Sequence, residues 1–396
     1  MKKIMVAVLS LLMIGSIASC DKKRVEEMGV TDTEIVIGSH QDLSGPIAGW
    51  GQQVKMGMEL RAKEINDAGG INGRKIRLVI EDSAYNPQQA ITVTNKMISK
   101  DKVFAFIGNM GSPTAGATKP IISDKKIPQM MPLTAASLFF DPVDRYSFGG
   151  FVPYYDQARI LIRYFVKKKE KKSIGIMYQD DEMGAIMLKG VNDQLAEYGM
   201  TLTAAESYQR GATSFSTQIS KLKAANVDLV VLATVIRETV GAVAEAKKLQ
   251  WNIDMCAMTP GYTSYIPLLA GKAGFSADGL YSTGQTPYIY EDHANPKARE
   301  FFKNYVATFG KNPDLPSTAG YSGVEFFRIA AEAVGKDLTR EKFIDQLEKF
   351  NNQPDEYFGS GPTTFSPTYR QGVDQAIVAQ LQNNKWVVVE GLQGYK

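Results

Sequence analysis

Glu34-Ile35-Val36-Ile37-Gly38 is a short β-branched run. The segment from about Trp50 to Asp67 then places Val54, Met58, Ala62 and Ile65 on one helical stripe before Gly69-Gly70 stops it. This strand-then-helix unit recurs. Arg74 to Glu81 reads as a strand and Pro87 to Ser99 as a helix opened by proline. Val103-Phe104-Ala105-Phe106-Ile107 is a continuous apolar run of the kind found in a strand covered on both faces. A helix over 113–123 and a strand over 128–131 complete one alternating set. Short strands separated by amphipathic helices imply βαβ units and a parallel sheet.

The alternation then restarts. Helix Gln157–Lys168, strand Ser173–Tyr178, helix Met183–Tyr198, strand Thr201–Tyr208, helix Phe215–Ala225, strand Asp228–Ala233 and helix Glu238–Gln250 form a second set. Each set has enough helices to cover both faces of its own strands. The expected fold is therefore α/β, with two doubly wound parallel-sheet lobes rather than one large sheet. Helices near 296–309, 317–334 and 339–350 and a strand pair around 375–389 must join one lobe or the other, and periodicity does not assign them.

Composition agrees. The 396 residues are 44% hydrophobic and 22% charged, which is ordinary globular content, and the length suggests about two domains. With 45 basic against 42 acidic residues the net charge is +3, which leaves no nucleic-acid footprint. Two cysteines and two histidines, His40 and His293, do not supply a multi-Cys zinc site, a disulfide scaffold or a His-rich metal centre. Neither metal nor cofactor is expected.

Met1-Lys2-Lys3, an apolar run from Ile4 to Ile17 and the small residues Ala18-Ser19 before Cys20 have the layout of an export signal. The run is shorter than the roughly 20 residues that a permanent membrane helix needs. Ile17-Ala18-Ser19-Cys20 resembles the lipobox of bacterial lipoproteins, which implies removal of residues 1–19 and a lipid on Cys20. Residues 20–33 are polar and nearly charge-balanced at first, and read as a tether. Cys256 is then left alone within Met255-Cys256-Ala257-Met258, as a buried small hydrophobe.

Catalytic patterns are missing from the string. It contains no Gly-x-x-x-x-Gly-Lys-Ser/Thr loop and no His-Glu-x-x-His. Gly320-Tyr321-Ser322-Gly323-Val324 lacks the second glycine of a nucleophile elbow and lies within a helical pattern. Gly49-Trp50-Gly51 opens a helix after a strand, but Val54 takes the third glycine's place and a tryptophan crowds a pyrophosphate. His40 lies next to an expected strand end, within reach of a ligand, with no second histidine nearby to form a relay. A paired α/β scaffold without such chemistry points to binding rather than to an enzyme.

Several ordered segments carry a family resemblance. Gly38-Ser39-His40-Gln41-Asp42-Leu43-Ser44-Gly45-Pro46, Glu64-Ile65-Asn66, Ala68-Gly69-Gly70-Ile71-Asn72-Gly73-Arg74, Glu81-Asp82, Asn86-Pro87, Gly111-Ser112-Pro113-Thr114 and Tyr178-Gln179-Asp180-Asp181 are similar to segments of type I periplasmic binding proteins of the leucine/isoleucine/valine-binding kind. The similarity spans roughly 34–390. It implies two lobes joined by a three-crossover hinge that close on a small-molecule ligand, in a monomer on the periplasmic side of the cytoplasmic membrane. The closed form would be recognised there by an ABC permease and ATPase complex in the inner membrane. An extracytoplasmic sensor of the same fold is the alternative. Crossovers are implied near 152–156, 280–285 and 373–378. The first lobe would comprise 34–154 plus 284–375, and the second 155–283 plus 376–396.

The resemblance also implies a pocket. Ser112 matches a serine that binds a ligand carboxylate. Its position fits physically, because Gly111 and Ser112 follow a buried strand and precede a helix whose first N–H groups and dipole favour an anion. In Leu133-Thr134-Ala135 the family threonine falls nominally on Ala135, with Thr134 beside it. Trp50 matches an aromatic wall, and Tyr155, Met183, Val235 and Tyr262 fall on or near ligand-facing loops of the second lobe. Val235 and Met183 stand where amino-acid binders carry tyrosines, and Met258-Thr259-Pro260-Gly261-Tyr262 lacks their ammonium-pairing glutamate. The expected ligand is a carboxylate with an apolar or aromatic body. A branched-chain amino acid is the alternative, with Asp156 or Glu238 supplying the missing charge. Tyr85 and Gly111 stand where some members pair two cysteines.

Overall fold

The computed structural model describes residues 27–394; the expected signal and lipobox, with Cys20, lie outside the described residues. β1 (Glu34–Gln41) pairs in parallel with β2 (Lys75–Asp82) on one side and β3 (Ala105–Ile107) on the other, and β4 (Gln129–Met130) and β5 (Ser147–Phe148) extend the sheet. Connecting helices α1 (Ala48–Asp67), α2 (Pro87–Ser99) and α3 (Ser112–Asp124) complete the doubly wound pattern. Asn86 caps α2, accepting from the Gln89 N–H at 3.0 Å, and Pro87 occupies the first turn, where no N–H is missed.

From β5 the chain crosses to a second lobe, which begins with α4 (Tyr154–Lys168), β6 (Ile174–Gln179), α5 (Glu182–Glu197) and β7 (Ala204–Tyr208). It continues through α6 (Ser216–Ala224), β8 (Leu229–Ala233), α7 (Ile236–Lys248), β9 (Asp254–Ala257), α8 (Tyr265–Lys272) and β10 (Tyr281–Gly284). It returns as α9 (Pro296–Phe309), α10 (Leu315–Val334), α11 (Arg340–Leu347) and the hairpin β11 (Thr364–Ser366) and β12 (Tyr369–Gly372), with α9 and α10 packed on α1. A third crossing leads to β13 (Gln375–Gln382) and β14 (Lys385–Gly394). The second sheet runs β14-β13-β10-β9-β8-β6-β7. β6 to β10 are parallel and β13 and β14 antiparallel, so this lobe carries an antiparallel edge on a parallel core.

Periodicity did not reveal β10. Its Tyr-Ser-Thr-Gly sequence looks polar, yet Ser282 and Thr283 are fully buried because their hydroxyls bond Met258 O at 3.1 Å and Gln157 Oε1 at 3.0 Å. The Gly320 segment lies inside α10 and is there for helix packing. A Cβ at Gly320 would sit 2.2 Å from Val54 O, and one at Gly57 would sit 1.9 Å from Ser317 O, so each helix uses a glycine to admit the other's backbone. Gly51 serves the loop before α1, since its Cβ would fall 1.8 Å from Asp42 O. Cys256 is buried in β9, and burial pushes its thiol pKa up.

His40 is fully buried in β1, its Nε2 hydrogen-bonded to Thr118 Oγ1 at 3.1 Å, and it does not line the cleft. Burial lowers its pKa to about 3. Below its ordinary pKa of about 6.5 the unfolded chain takes up a proton that the folded chain refuses. The stability this ring contributes is therefore complete above about pH 6.5 and is lost as pH falls towards 3, at up to about 1.4 kcal/mol per pH unit. His40→Gln is expected to flatten the dependence of unfolding free energy on pH between about 6 and about 4; denaturant melts giving parallel wild-type and variant slopes would disprove this assignment.

Candidate functional site

A cleft lies where the ends of β3 and β4 face the loops that lead into α5 and α7. Its first-lobe wall is set by one turn. Gly111 has φ +89°, a left-handed conformation that favours glycine, and its N–H donates to Leu133 O at 3.1 Å while the Leu133 N–H donates to Asn109 O at 2.9 Å. α3 begins at the next residue, so Ser112 stands at a helix N-terminus with N–H groups that no preceding turn can use. The Ser112 and Thr134 hydroxyls are 2.7 Å apart, and the Ala136 N–H donates to Thr134 Oγ1 at 3.1 Å. Tyr154 lines the same part of the cleft, and burial pushes its hydroxyl pKa up.

Trp50 and Ile47 close one side of the cleft, and Tyr85, Met110, Leu133 and Phe151 extend the apolar surface. The second lobe adds Met183, Val235, Ile236, Thr259 and Pro260. Thr259 is held by Gln157, whose Oε1 accepts from its N–H at 3.0 Å and its hydroxyl at 2.9 Å. Among the described residues no charged side chain lines the cleft. Any anion there must be met by hydroxyls, backbone N–H groups and the α3 dipole.

Eight residues singled out from the sequence meet in this lining: Trp50, Gly111, Ser112, Leu133, Thr134, Ala135, Met183 and Val235. Tyr155 and Tyr262 do not. α4 begins at Tyr154, whose N–H donates to Ala135 O at 3.0 Å, and this directs Tyr154 to the cleft. One residue later, about 100° round the helix, Tyr155 faces α5 and donates to Asp193 Oδ2 at 2.6 Å. Tyr262 is fully buried behind the cleft, its ring 5.6 Å from Tyr288 and 5.2 Å from Trp386. Asp156 also lies outside the lining and accepts a hydrogen bond from Gln371 Nε2 at 3.5 Å. Glu238 is buried in the first turn of α7, with Oε1 3.3 Å from Arg237 Nη2 and no protein partner for Oε2. Sequence reasoning missed Tyr85 as a wall. A Cβ on Gly111 would lie 2.5 Å from the Tyr85 ring, so the ring fills the space a larger residue at 111 would need.

The lobes touch beside this cleft. Asp314 caps α10 and accepts from Thr263 Oγ1 at 2.5 Å and Ser264 Oγ at 2.8 Å, both on the loop after β9, and from the Tyr288 hydroxyl.

A family model described as periplasmic binding protein matches residues 34–385, most of the chain. This chain belongs to the periplasmic binding protein family. Its resemblance to the leucine/isoleucine/valine-binding kind is shared by relatives of that name. It is 27% identical over 322 residues to a Leu/Ile/Val-binding protein homolog 2 of Brucella abortus, covering 81% of this chain and 84% of that one. An amino acid binding protein of Pseudomonas aeruginosa is 26% identical over 298 residues, covering 74% and 72%. The fold of this family member is close to that of a fatty acid ABC transporter substrate-binding protein from Thermomonospora curvata, with TM-score 0.83, 20% identity and coverage of 93% and 94%. It is also close to a branched-chain amino acid transporter substrate binding protein from Streptococcus pneumoniae solved with isoleucine, with TM-score 0.78, 23% identity and coverage of 91% and 100%. Family membership implies an extracytoplasmic location. Among the described residues no helix is long and apolar enough to cross a membrane.

Two outcomes are expected from this geometry. Gly111→Ala forces a Cβ into the Tyr85 ring at a left-handed position and should cost about 1–3 kcal/mol in chemical denaturation; an unchanged midpoint would show that the turn relaxes freely. Asp314→Ala removes the acceptor shared by the two lobes and should enlarge the ligand-free radius of gyration in small-angle X-ray scattering, whereas an identical profile would show that Asp314 does not hold the lobes together.

Proposed function

We propose that this protein is the extracytoplasmic substrate-binding component of an ABC importer, and that it captures a small carboxylate with an apolar or aromatic body between its lobes. The observation that carries the ligand class is the uncharged cleft, with Ser112, Thr134 and the α3 N-terminus on one wall and apolar side chains on the other. A carboxylate satisfied by N–H and O–H donors tolerates such a site, while a buried ammonium without a counter-charge loses several kcal/mol. The ligand-binding set is Trp50, Gly111, Ser112, Leu133, Thr134, Ala135, Met183 and Val235, to which Tyr85 and Tyr154 are added. Tyr155 and Tyr262 act through packing instead.

The distribution of strands between the sheets supports lobes of 34–154 plus 284–375 and 155–283 plus 376–396. Lipidation at Cys20 would hold the protein at the membrane beside its permease and ATPase. The relatives named for Leu/Ile/Val or amino acid binding, together with the unpartnered Oε2 of Glu238, two residues along α7 from Ile236 of the lining, favour a second reading, a hydrophobic amino acid whose ammonium turns to α7.

Unfolding temperature measured against aromatic carboxylates and branched-chain amino acids separates the two. Saturation at 100 times Kd adds about 2.7 kcal/mol. Stabilisation by phenylacetate-like acids, lost in Ser112→Ala, is the expected result. Stabilisation by leucine or valine alone, abolished in Glu238→Gln, would replace it with the second reading.

A further inference from the structure

Behind Trp50 lies a second compartment on the first-lobe side, with room for about one water-sized group. Trp50 and Phe151 line both compartments, so the two adjoin at these side chains. Their polar character differs. Four buried polar atoms on residues lining this second space have no protein partner: Trp50 Nε1, Gln285 Oε1, Thr286 Oγ1 and Thr363 Oγ1. In the lining of the first, only Trp50 has such an atom. A buried polar group left without a partner is unfavourable, and a fold rarely gathers several in one place without an occupant for them. Thr363 is fully buried and Thr286 is 4% exposed, so bulk water does not serve them.

Asp355 lines the same space. It accepts from the Tyr357 and Phe358 N–H groups at 3.0 and 3.1 Å and from the Ser322 and Ser360 hydroxyls at 3.1 and 3.2 Å. Among the described residues no cation pairs with it, and burial pushes its pKa up. The compartment therefore offers an amide oxygen and two hydroxyls free to accept, a single donor in Trp50 Nε1–H, and the negative charge of Asp355, whose oxygens already accept four hydrogen bonds. A ligand group with several N–H donors and a positive charge matches that set. A second carboxylate would meet Asp355 with like charge.

We propose that this compartment receives the far end of the ligand held in the first, and that this end carries a protonated amine. The inference rests on the carboxylate-binding reading above and narrows it to an amino acid whose amine is separated from its carboxylate by an apolar body. Gln285, Thr286, Thr363 and Asp355 are then specificity-determining residues.

The test uses two phenylacetates of nearly equal shape, one with a para-aminomethyl group and one with a para-ethyl group, titrated calorimetrically into the full chain. The aminomethyl compound is expected to bind at least tenfold more tightly. In the Thr286→Val/Thr363→Val double variant that preference should shrink several-fold, while the unfolding temperature stays level or rises because no protein hydrogen bond is lost. Equal or tighter binding of the ethyl compound, or a preference the double variant leaves intact, would overturn the proposal and leave the compartment as a water site. Failure of the underlying reading looks different: neither compound binds the wild type, or Ser112→Ala leaves both affinities unchanged.

Discussion

The left-handed turn at Gly111 is the contact on which the first wall of the cleft depends. It lets the chain leave the end of β3, hydrogen-bond across to Leu133 and start α3 at Ser112 within one residue. That places a helix N-terminus, a serine hydroxyl and the Thr134 hydroxyl together in a lining that, among the described residues, holds no charged side chain. The missing side chain at 111 matters as much as the backbone angle, because the Tyr85 ring occupies its place. Where some family members brace this loop with two cysteines, a tyrosine packed on a glycine fills the volume.

The opposite wall depends on Gln157. Its Oε1 accepts from Thr259 and from Thr283, and its Nε2 donates to Val152 O at 2.6 Å, which ties the segment between β5 and α4, the loop after β9 and the end of β10 to one buried amide. With those backbones fixed, the second lobe presents Met183, Val235, Ile236 and Pro260 as an apolar face. The two walls thus differ in kind: one offers donors, the other apolar surface. A ligand with a polar head and an apolar body has one favourable orientation between them.

Much of the most recognisable sequence turns out to be scaffold. Gly70 has φ +77° and its Cβ would lie 2.1 Å from Arg74 O, while Arg74 reaches Thr31 O and Lys336 O, each at 2.7 Å, and Asn66 pairs with both backbone groups of Ile76. These residues build the turn from α1 into β2, and none of them lines the cleft. Asp42 and Asp82 likewise serve the loop that carries Trp50, accepting from Ile47 at 2.8 Å and Leu43 at 2.9 Å. A motif can be specific for a family because a turn demands it, without touching a ligand.

The sequence by itself determined the alternation of strands and helices, the two sets of them and the loops that end on the cleft, because hydrophobic periodicity and turn residues are local properties. It also located Ser112, since a glycine and serine between a buried strand and a proline-led helix leave few other geometries. Tertiary structure alone decided which of Tyr154 and Tyr155 faces the cleft, because a helix turns about 100° per residue and its phase is fixed by long-range contacts, the bonds from Tyr154 to Ala135 and from Tyr155 to Asp193. It alone buried Tyr262 against Trp386 and drew Thr286, Thr363 and Asp355 behind Trp50, from segments separated by more than two hundred residues. Contacts of that range are set by how the lobes pack, and no window of sequence contains them.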